Sequence, residues 1–323
     1  TSMQSITKDY SKDVTHELMD LYLDVNQFIK INEFVNEKYS IFIEKDKANT
    51  TINLYCLDSS TFLHRTLSKI KSSIFFSATL SPLKYYMDTL GASDDIDPSI
   101  VLPSPFPKEN LKILIAPKVS VKYKDRESTY EIVKDYILNF VSGKIGNYFV
   151  YVPSYEYLDK LTENFEINGA DLFIQVRDMS DTEKDDFLLN FESNPVRTCV
   201  GFLVIGGAFS EGIDLVSDRL IGAVIVGIGL PKINFKSDNI SKHFTDNGLP
   251  GYSYAYTNPG MNKIMQAVGR VIRSENDRGA VLLIDERYMN SDYRKLFREE
   301  WKTYDVVLSP KEVEDELTKF FKN

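Results

Sequence analysis

Apolar runs of about four to eight residues alternate along the chain with segments whose apolar positions recur at helical spacing. Residues 111–116, 147–152, 198–205, 220–226 and 280–284 are near-continuous stretches of Val, Ile, Leu, Phe and Tyr. That is the pattern of strands buried on both faces. Between them, 127–140 places Ile132, Val133, Tyr136, Ile137 and Phe140 on one helical stripe. Further helices are expected at 156–165 and 182–192, and a strand at 171–175. The alternation predicts an α/β fold, a parallel sheet with helices on both faces.

The ends of the chain read differently. Leu18, Leu21, Leu23, Val25, Phe28 and Ile29 sit among acids and amides, so residues 1–45 are expected to form an N-terminal helical segment. A charged turn comes next at 45–49, then an alternating strand at 51–56 leading into the sheet. Residues 71–77 form a short β-rich run ending in small hydroxyl residues, and Pro82 opens a helix. Those hydroxyls can cap the helix or face a ligand. The stretch 232–258 is irregular and polar, with Lys232, Lys236, Lys242 and His243 ahead of Tyr252, Tyr254 and Tyr256. Basic residues beside aromatics can hold a single strand, and alternating tyrosines also suit an edge strand or docked loop. Residues 293–322 form a mixed helical tail.

Composition narrows the class. The 323 residues, 43% hydrophobic and 26% charged, suit an ordinary globular protein of one large or two smaller domains. No apolar run approaches the ~20 residues that span a bilayer, and no signal peptide is evident. No membrane partner is expected, therefore, and the cytoplasm is the expected compartment. Thr1-Ser2-Met3 reads as a cloning scar ahead of a cut fragment. Two cysteines, Cys56 and Cys199, exclude a disulfide scaffold or a cysteine-rich metal site. His16, His64 and His243 have no metal or catalytic spacing. A net charge of −9 argues against a protein wrapped in nucleic acid, while leaving room for a narrow track on one face.

Two stretches carry candidate chemistry. In 266–279, QAVGRVIRSENDRG, Arg270 and Arg273 are three apart. On a helix they share one face and can converge on an anion, or they can form a solvated face paired to Glu275 and Asp277. In 206–215, GGAFSEGIDL, a buried strand runs into a glycine loop where the backbone can approach a phosphate or sugar. Glu211 and Asp214 can accept hydrogen bonds there, although tight connections need glycine in any case.

Together these stretches resemble motifs V and VI of the DinG/XPD group of superfamily 2 DNA helicases. Ser77-Ala-Thr79-Leu-Ser-Pro82 is similar to motif III, and Pro153-Ser154-Tyr155 at a strand end is similar to motif IV. The chain has no G-x-x-x-x-G-K-[ST] phosphate loop: Gly143-Lys144 is its only Gly-Lys pair and is followed by Ile145. No strand ends in the Asp-Glu pair that holds magnesium in the group, because Asp285-Glu286 comes after motif VI.

The resemblance therefore implies the second RecA-like motor domain alone, over 46–323, with 1–45 a remnant of the arch insertion. It implies a monomeric ATP-dependent 5′-to-3′ DNA helicase half, inactive by itself. ATP and Mg2+ would be shared with a first RecA-like domain of the same polypeptide. Arg270 and Arg273 would be arginine fingers and Gln266 would position nucleotide. Glu211, Gly212 and Asp214 would line the nucleotide cleft. Thr79, Ser154, Tyr155 and Ser210 would face single-stranded DNA. Relatives carry an iron–sulfur cluster in the first domain, which this chain cannot ligate. The alternative is a stand-alone single-stranded nucleic-acid or partner-binding module without ATP hydrolysis. A nuclease is the weakest option, since no carboxylate set marks a two-metal site.

Overall fold

The computed structural model describes residues 12–209, 215 and 217–322. In chain order the elements begin with α1 (Lys12–Asn32), β1 (Tyr39–Lys45), β2 (Thr50–Cys56), α2 (Ser60–Leu67) and α3 (Leu83–Leu90). The sheet region comes next with β3 (Leu111–Ala116), α4 (Arg126–Val141), β4 (Asn147–Val152), α5 (Tyr155–Thr162), β5 (Ala170–Ile174), α6 (Asp181–Leu189), β6 (Thr198–Val204) and β7 (Gly222–Val226). It closes with α7 (Phe235–Asp246), α8 (Asn258–Val268), β8 (Gly279–Ile284), α9 (Ser291–Arg294), β9 (Asp305–Val306) and α10 (Pro310–Lys322).

Seven strands form one sheet in the order β5-β6-β4-β7-β8-β3-β9, and every described pairing in it is parallel. One register row crosses all seven: Ile174, Phe202, Val150, Val224, Leu282, Leu114 and Asp305. Successive residues point to opposite faces, so the sheet feeds two cores. Val150, Phe202, Val224 and Leu282 pack beneath α4, α5 and α10, while Tyr151, Leu203, Ile225 and Leu283 pack beneath α6 and α8. β4, β6, β7 and β8 are buried at every position, which is why their sequences read as unbroken apolar runs. The α/β expectation holds.

The expected N-terminal helix is present, but the segment up to residue 45 is not helical throughout. α1 stops at Asn32, and Tyr39–Lys45 is a strand, because Tyr39, Ile41 and Ile43 alternate and pair antiparallel with Cys56, Leu54 and Ile52. β2 joins β1 in a separate two-stranded sheet and does not enter the main one. The run 72–77 is no strand: Ile74 and Phe76 are 85% and 89% exposed, with no ladder partner among the described residues. The main sheet begins only at Leu111.

The hairpin, α2 and α3 dock on the stretch expected to be irregular. That stretch holds α7, capped by Asn234, whose Oδ1 accepts from Ser237 N, and a π-helical turn at Ser253–Thr257 leading into α8. Phe42 packs edge-on against Phe235 with ring centres 4.9 Å apart, and Lys236 lies 3.4 Å from Glu44. Gly91 closes α3 in the left-handed region (φ 76°), and a Cβ there would stand 2.2 Å from the Ser60 carbonyl oxygen. Only glycine lets α3 seat against α2.

Candidate functional site

In a parallel sheet all strand C-termini share one edge, where α/β proteins place ligands. β4 ends there in Pro153-Ser154-Tyr155. Ser154 Oγ accepts from Tyr157 N (3.2 Å) and caps α5, so its hydroxyl has a structural task. The Tyr155 hydroxyl accepts from Gln175 Nε2 (2.9 Å), and the Arg177 guanidinium lies 4.8 Å over the Tyr155 ring. Arg177 is exposed, whereas Gln175 is only 2% exposed. The Gln175 Oε1 accepts from Val204 N (2.9 Å) at the end of β6.

β6 then turns through Gly206 (φ 73°) and Gly207. A Cβ on Gly206 would meet Lys263 Nζ at 3.1 Å, and one on Gly207 would meet Gln175 Nε2 at 3.0 Å. Both glycines are therefore overlaid by polar side chains from elsewhere. Ser210, Glu211, Gly212 and Asp214 lie outside the described residues.

The two arginines are not on a helix, which corrects the sequence expectation. α8 ends at Val268, with Gly269 at its cap, and the chain tightens through Arg270 N to Ala267 O (3.3 Å) and Val271 N to Val268 O (3.0 Å). Glycine is a poor helix residue, and three-residue bonds finish the last turn. Asp277 fixes the next turn: Oδ2 accepts from Arg273 N and Ser274 N, both at 2.7 Å, and Oδ1 from Ser274 Oγ at 2.7 Å. The backbone thus occupies Asp277, and its carboxylate shapes the turn. Arg270 is 8% exposed. Both guanidiniums act on the buried Tyr151 phenol of β4: burial pushes it far up, and Arg270 and Arg273 pull against that. Gln266 is half-buried on α8, one helical turn after Asn262 and three residues after Lys263.

Thr79 reaches this region indirectly. It is half-buried, and its backbone N donates to Ser77 Oγ (3.1 Å). With its nitrogen toward that turn, the buried Asn262 amide donates to the carbonyls of Thr79 and Ser81, both at 3.1 Å, and accepts from the Tyr86 hydroxyl. No hydroxyl caps α3, whose N-cap is Pro82. The structure thus joins Thr79 to α8, and Tyr155 to the glycine turn, without bringing Thr79 and Tyr155 into contact.

Some basic and aromatic residues of 232–258 hold earlier elements, as Tyr254 donates to Asp88 and Lys236 pairs with Glu44, while others bind within the stretch itself: Tyr256 donates to Asp238 (2.5 Å) and Lys242 pairs with Asp246 (2.5 Å). Asp285 is fully buried, and Arg287 binds it through Nε and Nη2, each at 2.8 Å. Among the described residues no three His, Cys, Asp or Glu side chains form a metal-binding group. Guanidiniums suit nucleotide phosphates, so Arg270 and Arg273 fit ATP as one half of a site whose phosphate loop this chain does not contain.

Gln175, Arg177, Asn262 and Lys263 were missed in the sequence. The signal for Gln175 was the same as for Ser154, a polar residue closing an apolar strand. Asn262 gave a fainter one, an amide on the apolar stripe of Met261, Ile264 and Met265.

Known proteins resemble this chain in sequence and in fold. The helicase C-terminal domain family matches residues 137–304, just over half of the chain. ATP-dependent DNA helicase CHL1 of Vanderwaltozyma polyspora is 25% identical over 90% of this chain and 38% of its own length. The probable ATP-dependent helicase MJ0942 of Methanocaldococcus jannaschii is 27% identical over 84% of this chain and 42% of its own. The chain thus spans about two fifths of the curated relatives it matches. A solved structure of apo XPD superposes with a TM-score of 0.63 at 20% identity, covering 93% of this chain and 63% of that one, which establishes a RecA-like fold. No helix among the described residues is long and apolar enough to cross a membrane. With its parallel sheet and the glycine turn at the strand ends, the chain belongs to the helicase C-terminal domain family.

Proposed function

We propose that this chain is the second motor half of an ATP-dependent 5′-to-3′ DNA helicase, completed by a first RecA-like domain that binds most of the nucleotide. The observation that carries the reading is the hydrogen-bonded path from the Thr79 turn through Asn262 to α8, the helix that leads into Arg270 and Arg273. Such a path suits a domain that must relate strand contact to phosphate contact. The relatives' names, ATP-dependent DNA helicase among them, point the same way.

ATP, with Mg2+, supplies the γ-phosphate to be cleaved. Arg270 and Arg273 neutralise charge developing on it, an effect worth about 10³–10⁵ in rate for arginine fingers. Asp277 holds the Arg273 backbone so that the guanidinium needs little reorganisation. Gln266 positions the nucleotide, and Glu211, Gly212 and Asp214 line its cleft. Thr79, Ser154, Tyr155 and Ser210 face the single strand, a narrow track compatible with a net charge of −9. Closure and opening against the first domain then move this half along the strand.

The test measures nucleotide binding, single-strand binding and ATP turnover by this chain, in parallel. The expected result is no turnover, weak ATP binding and salt-sensitive DNA binding. Turnover that survives purification and disappears in Arg273→Ala would overturn the half-motor reading. Tight single-strand binding, with no ATPase after addition of the first domain, would favour a binding module instead.

A further inference from the structure

We propose that Gln175 is a positioning residue that makes the glycine turn sense what occupies Tyr155. The inference rests on the reading of Tyr155 as a single-strand contact, and adds the device that carries its state inward.

The Gln175 backbone is fixed, because its N donates to Phe202 O (3.0 Å) and extends the β5–β6 ladder one residue past Ile174. The side chain lies in the interior with both ends engaged. Nε2 donates to the Tyr155 hydroxyl (2.9 Å) and Oε1 accepts from Val204 N (2.9 Å). Val204 is also the first residue of the glycine turn, since its carbonyl accepts from Gly207 N (3.0 Å). Gly206, at φ 73°, is the third residue of that turn, where positive φ is required. The same Gln175 nitrogen lies where a Cβ on Gly207 would stand 3.0 Å from it. One amide therefore bonds the phenol and the first residue of the turn, and lies beside the last.

The outer face of Tyr155 carries the exposed Arg177 guanidinium at 4.8 Å, a cation beside a ring. A base that stacks on Tyr155, or a phosphate that draws Arg177 away, bears on a phenol whose hydroxyl is held by Gln175. A displaced phenol leaves a buried Nε2 donor to find another partner, and the Gly206–Gly207 turn is beside it. A merely structural amide would satisfy Val204 and Tyr155 without responding to ligand. The two roles differ in one observable.

The experiment follows amide hydrogen exchange of residues 205–209 in this chain, with and without oligo(dT). In the wild type, oligo(dT) should change exchange there about fivefold or more, the low end of coupling between sites. Tyr155→Phe keeps the ring and Arg177 and removes only the hydroxyl, so the oligonucleotide should still bind while the response at 205–209 is lost. Gln175→Met should behave likewise, and Tyr155→Phe decides if that core variant does not fold. Retention of the full response in Tyr155→Phe overturns the coupling role. If oligo(dT) binds equally well to wild type and Tyr155→Ala, Tyr155 is not a strand contact and both readings fail.

Discussion

Tyr86 and Asn262 stand 176 residues apart in the chain and are joined side chain to side chain, clamping α3 against α8. The same amide reaches the Thr79 and Ser81 carbonyls. Removing it strands three polar groups in a poorly solvated junction. Asn262→Ala should cost about 2–3 kcal/mol by urea unfolding, and Tyr86→Phe about 1 kcal/mol. Because the residues share one bond, their effects should couple by about 0.5 kcal/mol or more in a double-mutant cycle. Strict additivity would mean the clamp is not formed in solution.

A second prediction concerns Asp285, which a sequence reader could take for a magnesium ligand. Its carboxylate is fully buried and gripped by Arg287 through two side-chain nitrogens and the backbone N (2.9 Å). Removing one member of a buried pair leaves the other uncompensated, so Asp285→Ala should cost about 3–5 kcal/mol. Millimolar Mg2+ should leave the wild-type melting temperature unchanged. A Mg2+-dependent rise that Asp285→Asn abolishes would make Asp285 a metal ligand after all.

How far the sequence was legible depends on which interactions are local. β4, β6, β7 and β8 were legible because strands buried on both faces must be apolar throughout. The helical setting expected of Arg270 and Arg273 was wrong because Gly269 ends the helix before them, and Asp277 holds the backbone of the turn that follows. The β1 strand was hidden because the acidic amphipathic stretch before it dominated the reading. Residues 74–76 had strand composition, but a strand exists only beside an edge, and no window of sequence shows one. Asn262 and Gln175 were invisible for a related reason. A buried amide is recognised by its partners, and Tyr86, Tyr155 and Val204 lie far from them in sequence.

The junction of the N-terminal segment should respond to acid. Lys38 Nζ lies 2.5 Å from Asp58 Oδ2, and Ser60 N donates to Asp58 Oδ1 (2.8 Å). Burial alone would raise the Asp58 carboxyl, but the hydrogen bonds from Lys38 and Ser60 outweigh it and hold the group below its ordinary value of 3.8. A depressed folded pKa contributes stability that is present above 3.8 and lost as pH falls through the lower folded value. Asp58→Asn should therefore be less stable than wild type at pH 7, with the gap narrowing as pH drops below 3.8. A gap that stays constant down to acid-induced unfolding would remove the Lys38–Asp58 pair from the account.

The arginine turn allows the sharpest separation of roles. Arg270 and Arg273 follow α8 and oppose the burial-raised pKa of the Tyr151 phenol of β4, while the Arg177 guanidinium lies 4.8 Å over the Tyr155 ring just past the end of β4. If the first pair serves phosphate and the second the single strand, the two activities must dissociate on mutation. In the protein completed by its first domain, Arg273→Ala should lower ATP turnover about 10³-fold or more, with single-strand affinity nearly unchanged. Arg273→Lys keeps the charge but loses the planar fork, and should recover only a small part of the rate. Asp277→Asn loosens the Arg273 backbone and should give an intermediate loss, in kcat more than in KM, because reorganisation is felt at the transition state. Arg177→Ala should do the reverse, weakening single-strand binding while leaving basal turnover intact. If Arg273→Ala instead abolished strand binding and spared turnover, the guanidiniums would be nucleic-acid contacts and the finger assignment would fall.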